Sequence, residues 1–151
     1  MEAHLKIIGI FLMLLALLHL IFPKYFNWKQ ELNSLSLVNR QLMYVHTFFI
    51  ALIVFLMGVL CISSSTDLTT SILGKRMSLI LGVFWIIRLC IQFFGYSSKL
   101  WRGKIFETSV HIAFSIVWVY LSTVFFLVFF LWKPSVLAHF ISFISSRSQG
   151  R

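Results

Sequence analysis

Four stretches of mostly apolar residues, each about as long as a bilayer-spanning helix, leave this chain few ways to fold. About 20 consecutive apolar residues are needed to cross the hydrocarbon core as a helix. A backbone in lipid must satisfy its own hydrogen bonds, so each stretch is helical if it crosses. The stretches run over about residues 5–22, 40–62, 77–96 and 108–132 of a 151-residue chain. Only 11% of the residues are charged, against about 25% in a soluble domain, so a water-facing surface of normal size could not be built. The expected class is all-α: a four-helix transmembrane bundle with short interfacial helices. Residues 1–133 form the membrane domain, and 134–151 an interfacial C-terminal helix with a polar tail.

The connections fit this division. Pro23 is expected to stop the first helix. Ser63-Ser64-Ser65-Thr66-Asp67 reads as a polar turn, Gly74-Lys75-Arg76 leads into the third span, Gly95 closes it, and Lys133-Pro134 ends the fourth. Tyr25, Trp28, Tyr44, Tyr96, Trp101 and Trp132 fall near the expected membrane edges, where amphipathic rings prefer to sit. Between Asn27 and Leu35, Trp28, Leu32 and Leu35 share one helical face. Leu137, Phe140, Ile141 and Ile144 do so after Pro134, as interfacial helices do.

The net charge of +9 is spread between hydrophobic segments rather than gathered on one face, which excludes the nucleic-acid class and points to anionic lipid headgroups. Membrane lipids are therefore the expected partners, with a larger membrane complex or a homo-oligomer as further options. An even number of spans puts both termini on one side, and the expected location is a bacterial inner membrane. Six Lys or Arg flank the spans on each side, so the positive-inside rule gives no orientation. Cys61 and Cys90 are expected at different depths and are read as unbonded packing residues.

Against this apolar background a few polar residues collect at one depth. At a rise of about 1.5 Å per residue, His19 lies about 6 Å inside one edge, His46 about 9 Å, His111 about 6 Å and Gln92 about 6 Å, with Arg88 about 12 Å deep. All five fall in the same half of the membrane, whereas the other half holds only runs such as Val124-Phe125-Phe126-Leu127-Val128. Ionisable groups are costly there and mark a functional site by default. Trp85, Arg88, Gln92 and Tyr96 share a stripe on the third span. His111, Ser115, Trp118 and Ser122 share another on the fourth, with Glu107 a turn above His111. A buried Arg88 calls for an acceptor. Glu107 is the best-placed carboxylate, and Glu31 is the other. Arg40 stands near the same edge.

Several chemistries use such a layer. Three imidazoles with an open position suit a divalent metal, and two suit haem iron. His19, His46 and His111 would be the ligands, with Arg88, Gln92 and Glu107 orienting them or balancing charge. The same residues suit a membrane-embedded enzyme or binding subunit for a lipid, quinone or isoprenoid. Arg88 would then hold an anionic group and a histidine would act as acid or base. No catalytic residue stands out beyond these: there is no HExxH, no paired carboxylates and no activated nucleophile. A third reading is an accessory subunit of a larger complex. The bland alternative is a structural hydrogen-bond network between helices.

Phe22-Pro23-Lys24-Tyr25-Phe26-Asn27-Trp28 with Asn39-Arg40-Gln41-Leu42-Met43-Tyr44-Val45-His46, and Arg88-Leu89-Cys90-Ile91-Gln92-Phe93-Phe94-Gly95-Tyr96 with Phe106-Glu107-Thr108-Ser109-Val110-His111, resemble segments of a group of small, uncharacterised bacterial four-span integral membrane proteins. The resemblance spans most of the chain from Leu18 to Tyr120 and implies a four-helix membrane fold with no activity attached. The second-helix pattern Glu-Arg-x-x-Arg-x-x-x-Asn of the four-span glutathione and eicosanoid enzymes is absent.

Overall fold

Hydrophobicity decides where the long helices lie, but their ends are set by residues that can cap or break a backbone. The computed structural model describes residues 1–97 and 100–131. Helix α1 is Glu2–Tyr25, and α2 (Trp28–Glu31) continues into a 3-10 turn at Leu32–Ser34. The remaining helices are α3 (Leu37–Ser63), α4 (Ser65–Thr70), α5 (Ile72–Phe94) and α6 (Ile105–Phe130). No strand occurs among the described residues. Helices α1, α3, α5 and α6 are each long and apolar enough to cross a membrane. The protein is all-α and multi-pass. The C-terminal interfacial helix expected over 134–151, Trp132, Lys133 and Lys99 lie outside the described residues.

Pro23 does not stop α1, contrary to expectation. It sits inside the last turn, where its missing N–H costs one bond to the His19 carbonyl and little helix follows to be disturbed. The terminator is Asn27, whose φ of 47° puts it in the left-handed region that Asn tolerates better than most side chains. Ser36 caps α3 by accepting from the Asn39 N–H at 3.4 Å, and Ser71 caps α5 by accepting from Gly74 at 2.9 Å. The polar turn expected at 63–67 is largely helical instead. The Thr70 hydroxyl donates to the Thr66 carbonyl at 2.9 Å and the Ser71 hydroxyl to Asp67 at 2.7 Å, so these side chains serve the helix they could have competed with. As a result α5 begins at Ile72, and Gly74 lies against the Asp67 carbonyl and the Leu68 backbone, where no side chain fits.

Two compact units divide the chain, Glu2–Ser65 and the residues from Thr66 onward. In the first, α1 packs on α3. Leu5, Ile8, Leu12 and Leu15, at helical spacing, are buried on α1, as are Ala51, Val54, Gly58 and Cys61 on α3. The backbones meet at Gly9 and Gly58: a Cβ on Gly58 would stand 2.7 Å from the Gly9 carbonyl oxygen. Small residues allow this approach in membranes, where close packing replaces the hydrophobic drive. The segment after α1 folds back on α3. Trp28 meets Tyr44 edge-on at 5.4 Å, and Arg40 Nη1 donates to Asn33 Oδ1 at 3.1 Å.

In the second unit α5 packs on α6, with Leu81, Trp85, Trp118, Leu121, Phe125 and Val128 buried. The pair is antiparallel: Gln92 meets His111, Trp85 meets Trp118, and Lys75 lies over Phe129. Outward residues such as Leu14, Leu20, Phe48, Ile80, Ile116 and Phe130 are exposed, as expected of surfaces solvated by lipid tails.

Candidate functional site in the second helical hairpin

The α5–α6 register brings together three of the polar residues singled out by depth. Arg88 Nη1 donates to Gln92 Oε1 at 3.2 Å, one turn along the same helix. His111, on α6, donates from Nε2 to the Gln92 carbonyl at 3.3 Å. That assignment leaves His111 Nδ1 as an acceptor. Gln92 is buried, and Arg88 and His111 are half-buried. The register also places Ser115 level with Arg88, and the Ser115 hydroxyl is turned back to the His111 carbonyl at 2.8 Å.

Arg88 does not find the carboxylate expected for it. Its guanidinium carbon lies 5.2 Å from the Trp118 ring centre and 5.8 Å from that of Tyr96, within the range of a cation–π contact. Among the described residues it has no ion pair. Glu107 instead stands 3.9 Å from Lys104, with both groups well exposed. The reason is reach. Arg88 leans along α5 towards Gln92 and Tyr96, whereas Glu107 sits in the first turn of α6, where the helix N-terminus also favours its charge. Glu31 is exposed, and Arg40 is spent on Asn33.

Aromatic rings enclose the polar atoms. Trp118 carries Arg88 and stacks on Trp85 at 5.0 Å with an interplanar angle of 10°. Trp101 lies 4.0 Å from the His111 ring, and Phe93 5.6 Å. The Trp101 loop is tied down by the Thr108 hydroxyl, which donates to the Trp101 carbonyl at 2.7 Å. The indole N–H groups of Trp85 and Trp118 are buried without an acceptor, as is the Ser78 hydroxyl. Trp118 as the partner of Arg88 and Trp101 as the cover of His111 were not assigned from sequence. The available signal was the placing of Trp118 two turns from His111 on one stripe.

The other two histidines singled out by depth, His19 and His46, belong to the other hairpin. His19, half-buried on α1, donates from Nδ1 to the Leu15 carbonyl at 2.8 Å and meets Phe22 at 4.8 Å. His46 on α3 donates from Nδ1 to Leu42 at 3.1 Å and lies exposed in a shallow groove with Leu42, Met43, Thr47 and Ile50. In both rings the bond to the carbonyl uses Nδ1 and leaves Nε2 as the other ring nitrogen. Among the described residues no three His, Cys, Asp or Glu side chains gather as a metal-ligand set. Both cysteines are free thiols.

Comparisons with protein-family models, curated proteins and solved structures returned no match.

Proposed function

We propose that the α5–α6 hairpin is a membrane-embedded binding site for the polar head of a lipid-like molecule: a lipid, quinone or isoprenoid. The observation that carries this reading is Arg88. A guanidinium within a membrane span, with no carboxylate partner among the described residues, is an expensive arrangement to keep. Its neighbours are short of acceptors. Gln92 Oε1 and the Gln92 carbonyl are already taken, and the two nearby indoles contribute only N–H. A ligand with acceptor oxygens would supply what the site lacks. His111 Nδ1 is the one side-chain nitrogen there with a lone pair, and would accept a proton if the site does chemistry.

The test is mass spectrometry of lipids and quinones that copurify with the full-length protein in mild detergent. One species should be enriched with the wild type and depleted by about 10- to 100-fold in Arg88→Ala, the effect of removing a charge-assisted hydrogen-bonding group. Identical profiles from the two proteins would end the proposal.

A second reading, binding of a divalent metal or haem, is favoured by one observation in the first hairpin. In both His19 and His46 the Nδ1–H is held by a backbone carbonyl, the arrangement that fixes Nε2 as a ligand. This reading predicts a Soret band, or iron, zinc or copper near one per chain, that disappears in His19→Ala and His46→Ala. A featureless spectrum together with a clean elemental analysis, on protein purified without chelator, would eliminate it. Four crossings would return the chain to its starting face of a bacterial inner membrane.

A further inference from the structure

We infer that the head held by Arg88 is a phosphate oxyanion rather than the ring of a quinone. This inference rests on the hairpin being the ligand site.

Charge is the first reason. The guanidinium has no anionic partner among the described residues, and a neutral carbonyl would leave its charge uncompensated, whereas a phosphate would neutralise it. With Nη1 committed to Gln92, Arg88 still has several N–H donors, and a guanidinium matches phosphate oxygens in pairs.

The second reason is that the rings nearest Arg88 and His111 are already engaged by the protein's own groups. A planar quinone ring binds well where it can stack. Here Trp118 has Arg88 over its ring and Trp85 stacked against it, Tyr96 is also met by Arg88, and Trp101 lies against His111. The protein's own groups use these surfaces. N–H donors are what remains, and an oxyanion needs only those.

Depth is the third reason. Arg88 leans towards Gln92 and Tyr96, so its charge is carried towards the end of α5. Gln92 is three residues from Gly95, about 4.5 Å of helix, which is within reach of a lipid phosphate at the membrane face. Arg102 follows directly on Trp101, and both Arg102 and Lys104 are exposed at that end of the hairpin, where they would draw in an anion. The phosphate could belong to an anionic glycerophospholipid or be free in solution; the recognition chemistry is the same.

Delipidated full-length protein in neutral detergent would be titrated separately with phosphatidylglycerol, inorganic phosphate and a short-chain quinone. Intrinsic tryptophan fluorescence would report binding at the Trp101, Trp118 and Trp85 cluster. The expected result is saturable binding of a phosphate species, weakened by about 10- to 100-fold in Arg88→Gln. Saturation by phosphatidylglycerol alone identifies a lipid as the source, and saturation by inorganic phosphate identifies the free ion. Arg88-dependent binding of the quinone, with neither phosphate species bound, overturns the phosphate inference and leaves the ligand site standing. No Arg88-dependent binding of any of the three overturns both. If Arg88→Gln does not fold, the wild-type ranking decides: phosphate species above quinone supports the inference, and the reverse order defeats it.

Discussion

Gly58→Ala should destabilise the protein by about 1–3 kcal/mol, the usual cost of forcing a methyl into a filled contact, and Gly58→Leu should prevent α1 and α3 from pairing. A Cβ at Gly58 would lie 2.7 Å from the Gly9 carbonyl oxygen, 2.8 Å from Met13 Cγ and 3.1 Å from the Met13 backbone nitrogen. Two of those three atoms are backbone and cannot turn aside, so relief requires the helices to separate. Separation loosens the buried Leu5, Ile8 and Leu12 row along with the contact itself. Gly82→Ala is the control. Its Cβ would have carbons of the Phe126 ring as nearest neighbours, at 3.4 Å, and alanine gains roughly 0.5–1 kcal/mol over glycine inside a helix. Thermal unfolding in detergent should place Gly58→Ala clearly below the wild type and Gly82→Ala level with it or above. Equal midpoints for the two alanine variants would mean that the Gly9–Gly58 contact does not hold the first hairpin.

Trp118→Ala should cost more, about 3–5 kcal/mol, as removal of a buried indole usually does. Trp118 is buried and touches Trp85, Phe114 and Arg88 at once. Its loss opens a cavity beside Trp85 and uncovers the guanidinium, so ligand retention should fall together with stability. Trp118→Phe separates the two effects. It keeps a ring face for Arg88 and deletes an indole N–H that has no acceptor, a group whose burial costs about 1–3 kcal/mol. Part of the lost packing is thereby offset, and the phenylalanine variant should keep most of the binding. The measurement is unfolding midpoint and bound ligand on the same preparations. If Trp118→Ala unfolded within about 1 kcal/mol of the wild type, a value typical of unremarkable substitutions, the aromatic stack would not be a structural centre of the second hairpin.

The candidate site was only partly legible before its coordinates. Gln92 and His111 could be placed at one level, with Arg88 a turn deeper, because helical rise turns sequence position into depth, and the α5–α6 pairing brings the three together. Glu107 was assigned to Arg88 by the same arithmetic and turns instead to Lys104. Depth alone does not say which way a long side chain leans. The same arithmetic assigned His19 and His46 to the level of His111, but their observed bonds are local, each to a carbonyl one turn back on its own helix. A single sequence carries no sign of the tautomer that such a bond selects.

The number and type of the long elements were determined by the amino-acid sequence alone. Four apolar runs of bilayer length have only helix available to them in lipid, since no other single-segment conformation closes its own hydrogen bonds there. The helix ends were less determined, because they depend on local geometry. Asn27 ends α1 by adopting the left-handed region, past a proline that the last turn tolerates. Hydroxyls of Thr70 and Ser71 turn an expected loop into helix. Only tertiary structure decided which faces meet. The Gly9–Gly58 contact sets the approach of α1 and α3, and the Trp85–Trp118 stack sets the register of α5 and α6. Those choices depend on the shape of side chains opposite one another, a property of pairs that lie far apart in the sequence. It was that pairing, rather than composition or spacing, that left the charge of Arg88 on an aromatic face and without a counterion among the described residues.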